Sequence, residues 1–218
     1  MSEPADELMG QATELGVELS PSQAERLLAF EELLRDRGAR LGLISRGDVS
    51  RVRGRHILDC LRVAPLVDPA ARSAYDLGSG GGLPGVVVAI ALPHLELVCV
   101  EVRRNRAAFL ELAIDRLELA NASALLGRLE SLTQAVDVCF ARALAPPEDS
   151  WSMAERLLSP GGSLIYFAGR GVEPSPGSAD AVGVETKTPS GEPAGVRSRS
   201  VRTPGLECAG PLVIMGRP

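Results

Sequence analysis

Lysine, histidine, cysteine and aromatic side chains are all scarce in this chain of 218 residues. Lys187 is the only lysine, there are two histidines, and aromatics make up 3 %. The four cysteines, Cys60, Cys99, Cys139 and Cys208, lie far apart with no C-x-x-C pair. That excludes a disulfide framework or a zinc site of ordinary spacing, and no metal is expected. Three of the four stand in apolar stretches and read as buried free thiols. No apolar run approaches the roughly 20 residues of a membrane span. The longest, around Val86 to Leu92, is closed by Pro93. Met1 to Glu7 is acidic and lacks the apolar core of a secretion signal, so the expected location is the cytoplasm.

What is present is ordinary for one globular domain: 45 % hydrophobic and 23 % charged residues. The length supports one well-buried domain with a short appendage, expected to act as a monomer. The net charge of −5 argues against a generic polyanion binder. The distribution is less even. Arg35, Arg37, Arg40, Arg46, Arg51, Arg53, Arg55 and Arg62 crowd one segment that holds only three acids, Asp36, Asp48 and Asp59. A solvated helix face is one reading of this cluster. A GC-rich genome would also favour arginine over lysine.

Residues 1–70 read as an N-terminal helical extension. Ser20, Pro21 and Gln23 form a capping box that opens a helix ending near Gly38. A second helix is predicted from Val49 to Val67, with Val52, Ile57, Leu58, Leu61 and Val63 inward and the arginines outward. Residues 71–218 then alternate strand and helix. Strands are predicted at 73–77, 96–101, 123–126, 137–141 and 163–167. Helices are predicted at 83–91, 104–119 and 150–158. Such alternation gives an α/β fold with a doubly wound, mostly parallel sheet and helices on both faces. The segment 172–204 is rich in Pro, Gly and Ser and carries at best a weak strand at 182–186. Pro211 to Met215 is predicted to return to the sheet as a last strand.

Ligands in open α/β sheets bind beyond the carboxyl ends of the strands. At the end of the first strand stands Asp76-Leu77-Gly78-Ser79-Gly80-Gly81-Gly82-Leu83. Its glycines let a ligand approach the backbone more closely than any Cβ would permit. Glu101 ends the second strand, where a carboxylate can take both hydroxyls of a ribose, and Glu130 follows the third. Two cofactors suit this order. Gly80-x-Gly82-x-x-Gly85 satisfies a dinucleotide fingerprint, with Glu101 on the ribose of NAD. Asp76, two residues before Gly78, and the Leu157-Leu158-Ser159-Pro160-Gly161-Gly162 turn favour a Rossmann-like class I methyltransferase that binds S-adenosylmethionine.

Three segments carry a closer resemblance: Arg55-His56-Ile57-Leu58-Asp59-Cys60, Asp76 to Gly85 with its Leu83-Pro84, and Ala141-Arg142-Ala143. The chain resembles the glucose-inhibited division protein B family, bacterial methyltransferases that modify N7 of a guanine in 16S ribosomal RNA. The resemblance implies Gly78 and Leu83 at the methionine end of the donor, Glu101 at its ribose, and Leu129 and Glu130 at its adenine. It implies Arg142 near the reacting centre and His56 at the mouth of the site, the two candidate catalytic residues. The plainer reading of His56 is a helix histidine satisfied by a carbonyl. Three positions depart from the family pattern: Gly42 where it has asparagine, and Asn105 and Ala168 where it has lysines. They fall on the half expected to face RNA.

Guanine N7 carries a lone pair and no proton, so its methylation asks for alignment and no base. This agrees with the absence of an Asn-Pro-Pro-Tyr motif. Arg51, Arg53, Arg55 and Arg62 are the candidates for phosphates flanking an extruded guanine. The expected partner is 16S ribosomal RNA or the small ribosomal subunit, with no membrane. A non-catalytic, cofactor-binding relative is the remaining alternative.

Overall fold

The sheet takes its order from short apolar strands that alternate sides. β1 (Ser73–Leu77), β2 (Glu96–Glu101), β3 (Ala122–Leu126), β4 (Val136–Arg142) and β5 (Leu158–Phe167) are joined by crossovers, and β6 (Arg197–Val201) and β7 (Leu212–Gly216) close one edge. In the computed structural model, which describes residues 2–169, 197–203, 206 and 209–217, the order is β3-β2-β1-β4-β5-β7-β6. β1 to β5 run parallel, while β7 pairs antiparallel with both β5 and β6. The chain reverses direction on either side of β1, so the ends of β1 and β4 form the switch point where a ligand can enter. β4 is apolar on both faces, as a central parallel strand must be. Its Val138 and Phe140 join one core, and Cys139 and Ala141 the other.

Helices α4 (Gly85–Ala91), α5 (Arg104–Arg116) and α6 (Pro147–Glu155) follow β1, β2 and β4. The strands predicted within the described residues are present, and Pro147 opens α6 as a proline in the first turn does. The weak strand at 182–186 lies outside the described residues. β6 was not expected: Arg197 to Val201 is too polar to show strand alternation.

The N-terminal extension departs from expectation in two ways. A helix α1 (Glu3–Glu14) precedes the capping box, burying Ala5, Leu8 and Ala12. That spacing of three and four residues was hidden in an acidic segment. α2 (Pro21–Leu33) begins as expected, with Ser20 and Gln23 reciprocally bonded. The Gln23 amide also donates to Ile90 O at 2.8 Å and Ala91 O at 3.1 Å, the open carbonyls at the end of α4. The predicted helix 49–67 is instead a chain of short turns. A 3-10 turn (Arg46–Arg51), a wide π turn (Arg53–Leu58) and the single-turn α3 (Asp59–Leu61) succeed one another. Gly47 and Gly54 weaken a regular helix here, and the π turn rotates the side chains after it. Leu8, Leu27, Phe30, Ile57 and Leu61 enter the same core as α4 and one face of the sheet.

Candidate active site

Every glycine of the loop after β1 answers to a local demand. Gly78, Gly80 and Gly82 have φ of 71°, 54° and 80°, which disfavours other residues. A Cβ on Gly78 would lie 2.8 Å from Leu144 Cδ1, and one on Gly82 2.6 Å from Val86 Cγ2 and 3.2 Å from Phe30 Cζ. The Gly78 and Ser79 amides both donate to Val100 O at 3.0 Å, which folds the loop back over β2.

Two carboxylates hold this loop from behind. Asp76 is 1 % exposed, and its Oδ2 accepts the Gly85 amide at 3.0 Å. A Cβ on Gly85 would sit 2.6 Å from that oxygen. The last glycine of the apparent dinucleotide fingerprint thus makes room for Asp76. Burial pushes the Asp76 carboxyl up to about 6, against bonds from Ser79 and Gly85 that lower it. Glu101 is also buried; it accepts the Gly80 amide on Oε2 at 3.0 Å and the Arg103 amide on Oε1 at 2.8 Å. A carboxylate has about four acceptor positions, so two remain for a ligand.

In front of the loop lies a cavity of about 280 Å³, lined by Leu43, His56, Gly78, Ser79, Gly80, Gly81, Leu83, Arg106, Arg142 and Ala143. Gly78, Gly80, Leu83, His56 and Arg142 meet there. Gly82 and Asp76 stand behind it. Leu129 and Glu130 occupy a 3-10 turn after β3 and do not reach this cavity. Leu43 closes the loop side, where a Cβ on Gly81 would touch its own Cβ at 3.1 Å. Arg106, which sequence reasoning missed, lines the cavity one residue after exposed Asn105. The signal was available in the run Arg103, Arg104, Arg106 following Glu101.

A second cavity, of about 420 Å³, opens beside the first and shares Arg142 and Ala143 with it. Arg55, Asp59, Arg62, Tyr166, Phe167 and Ala168 also line it. Ala143 holds φ of 53°, a left-handed conformation rare outside glycine, at the partition between the cavities. Strain of this kind collects at functional sites.

Arg142 has several partners. Its Nη2 lies 3.0 Å from Asp59 Oδ2 and donates to Arg55 O at 3.1 Å; its Nη1 donates to Cys60 Sγ at 3.2 Å. Nη2 also lies 3.3 Å from His56 Nδ1. The guanidinium stands 5.5 Å from the Phe167 ring centre, within cation–π range. Burial, and then Arg142, lower His56 to about 4, so the ring is neutral at physiological pH. It cannot be a cation that steers phosphate. Burial pushes the Cys60 thiol up to about 12, leaving it protonated.

The arginine cluster divides. Arg62 is 4 % exposed. It donates to Asp59 Oδ1 at 2.8 Å, Gly210 O at 2.8 Å and Thr203 Oγ1 at 3.3 Å. It is therefore not the exposed phosphate contact expected of it: it is turned inward against Asp59, as part of the wall of the second cavity. Arg53 is also withdrawn, paired with Glu31 at 3.0 Å and Glu7 at 3.2 Å, and so ties α1 and α2 together. Arg51 and Arg55 remain at the surface; each places a guanidinium nitrogen 3.0 Å from Asp48 Oδ1. Burial raises the Asp48 carboxyl, but Ser45, Arg55, His56 and Arg51 outweigh it and hold the carboxyl below the usual range.

The glycine loop over β2, the carboxylates of Asp76 and Glu101 and a cavity thus lie together at the switch point of the sheet. The family model for rRNA small subunit methyltransferase G, GidB, matches residues 23–175. The chain belongs to this family. It is 43 % identical over 150 residues to the Ribosomal RNA small subunit methyltransferase G of Acidiphilium cryptum, covering 67 % of this chain and 69 % of that one. It is 41 % identical over 150 residues to the protein of that name from Paracoccus denitrificans, covering 68 % and 77 %. Among solved structures, an O-methyltransferase from Bacillus cereus in complex with SAH superposes with a TM-score of 0.59. It is 21 % identical, covers 87 % of this chain and 90 % of its own, and shares the class I fold. GidB membership makes the chain an S-adenosylmethionine-dependent methyltransferase and sets aside the nicotinamide reading. Among the described residues no helix is long and apolar enough to cross a membrane.

Proposed function

We propose that the protein transfers a methyl group from S-adenosylmethionine to N7 of a guanine in 16S ribosomal RNA, with the donor in the smaller cavity and the guanine in the larger. The observation that carries this assignment is the meeting of the two cavities at Arg142 and Ala143. The donor supplies a methyl group on a sulfonium; N7 forms the new bond with its lone pair as the carbon–sulfur bond breaks.

The chain's own residues bind, orient and exclude water. Gly78 and Gly80 give the methionine end close backbone approach, with Leu83 and Leu43 as apolar walls. Glu101 takes the ribose hydroxyls with its remaining lone pairs. Leu129 and Glu130 border the adenine once the donor extends past the cavity. No residue removes a proton, in accord with a His56 whose basicity is lowered by burial and Arg142 and a protonated Cys60. Arg142 is fixed by Asp59, Cys60 and Arg55, and its Nε–H has no partner among the described residues. That donor suits the O6 of guanine, which stands next to N7 and is absent from adenine. Arg51 and Arg55 contact flanking phosphates, and Arg106 takes the part of the cation missing at Asn105. A ribosomal substrate puts the working location in the cytoplasm.

The test is transfer of labelled methyl to 30S subunits from cells lacking this gene, followed by nuclease digestion and mass mapping. One 7-methylguanosine in the 16S fragment pattern is expected. Label on another base, or on protein, would overturn the assignment.

A further inference from the structure

The groups around His56 leave one contact unmade. Arginine carries only donors, so the approach of Arg142 Nη2 makes Nδ1 of His56 the acceptor and puts the ring proton on Nε2. That nitrogen is buried, has no hydrogen-bond partner among the described residues, and belongs to a residue 8 % exposed. A buried donor without a partner is costly and rare. The carboxylate it faces is Asp48, with Oδ2 at 3.9 Å, about 1 Å beyond hydrogen-bond reach.

Asp48 is held away by its other partners. Oδ2 accepts the Ser45 hydroxyl at 2.7 Å, and Oδ1 lies 3.0 Å from Arg51 Nη2 and 3.0 Å from Arg55 Nε. Both arginines are accessible, with side chains 63 % and 35 % exposed. Asp48 stands in the 3-10 turn Arg46–Arg51 and His56 in the π turn Arg53–Leu58. Neither turn is locked in a long helix, so a shift of 1 Å disturbs no regular element.

We propose that Asp48 is a positioning residue that couples the arginine face to the reacting centre. When Arg51 and Arg55 turn to RNA phosphates, Asp48 exchanges them for the Nε2–H of His56. The imidazole is then clamped between Asp48 and Arg142, and Arg142, which lines both cavities, is fixed from one side. Engagement of RNA at the surface thereby orders the side chain between donor and guanine. The RNA half of this inference rests on the function proposed above; the exchange of partners at Asp48 does not.

The chain has two histidines, His56 and His94, so a nitrogen-15 imidazole spectrum of the full-length protein holds two rings. Wild type is expected to show His56 as the Nε2–H tautomer. In Arg51→Ala/Arg55→Ala, which frees Asp48 without RNA, the Nε2 proton should move downfield to that of a carboxylate-bonded imidazole. An Nδ1–H tautomer, or identical spectra, would overturn the proposal. The second arm is single-turnover methyl transfer to unmodified 30S subunits at saturating donor. Asp48→Ala should slow transfer at least tenfold with donor affinity unchanged, and Asp48→Asn, which keeps an acceptor oxygen, should recover most of it. Asp48→Ala/His56→Gln should be no slower than the slower single variant. Additive losses, or a wild-type rate in Asp48→Ala, count against the coupling, and a poorly folded Asp48→Ala leaves Asp48→Asn and the imidazole spectra to decide. A wild-type protein that transfers nothing to 30S subunits removes the proposed function, while the spectra still decide the exchange at Asp48.

Discussion

Asp59 holds two arginines at once, with Oδ2 3.0 Å from Arg142 and Oδ1 2.8 Å from Arg62. The carboxylate thereby joins the end of β4 to the N-terminal extension and compensates part of the charge of the two arginines, leaving a net positive charge beside the cavities. Asp59→Ala leaves two largely buried cations unpaired. Breaking a buried pair by removing one partner costs about 3–5 kcal/mol. A urea titration should show that loss, and single-turnover methyl transfer should fall further than stability accounts for, because Arg142 loses its fixed position.

Arg51 and Arg62 were indistinguishable as sequence and should separate in the laboratory. Arg51→Ala should leave the urea midpoint unchanged and reduce the slope of log affinity against log salt by about 0.7–0.9 for 16S RNA. Arg62→Ala should do the reverse, lowering the urea midpoint through the loss of its bonds to Asp59, Gly210 and Thr203, with a charge-assisted bond contributing roughly 1.5–3 kcal/mol, and leaving the salt slope intact. Equal salt slopes for wild type and Arg51→Ala would make Arg51 plain surface.

Asp76 predicts a pH dependence whose sign is fixed. Its carboxyl is raised from the usual 3.8 to about 6 by burial. The folded chain therefore holds a proton there that the unfolded chain releases, and this group favours folding increasingly as pH falls from 6 toward 3.8. On the function proposed above, the ammonium at the methionine end of the donor lies over this loop and favours the ionised form instead. Calorimetry should find donor affinity constant above pH 7 and falling as pH drops through 6, and Asp76→Asn should remove that slope.

Glu101→Ala should weaken donor binding by tenfold or more, since each charge-assisted hydrogen bond to the ribose contributes roughly 1.5–3 kcal/mol. Glu101→Gln keeps one acceptor oxygen and should lose less. Circular dichroism checks that both variants fold. A folded Glu101→Ala with wild-type affinity would take the ribose away from this residue.

The sheet was legible because its signals are local. Leu77 and Ala141 end apolar runs, and the loop from Gly78 to Gly82 can be little else beside a parallel strand. The arginine cluster was not legible, because sequence spacing assumes a regular helix. Gly47 and Gly54 break that assumption, and after the π turn Arg62 faces the core. Asp48 and Asp59 looked like incidental acids among arginines; only the fold brings His56, Arg142 and Phe167 up to them. Arg106 is marked in the sequence only by its place in the run Arg103, Arg104, Arg106, and it takes the fold to bring it against Gly80.

Gln23 ends two helices with one side chain: its oxygen takes the Ser20 amide at 2.8 Å and its nitrogen reaches the carbonyls that close α4. Phe30 and Leu34 then come up against the donor loop, 3.2 Å from a Cβ on Gly82 and 3.7 Å from one on Gly81. The segment expected to choose the RNA therefore also backs the loop of the pocket proposed for the methyl donor. A new target specificity cannot be grafted by exchanging that segment wholesale. Any recombinant would have to inherit Gln23, Phe30 and Leu34, or lose its donor along with its old target.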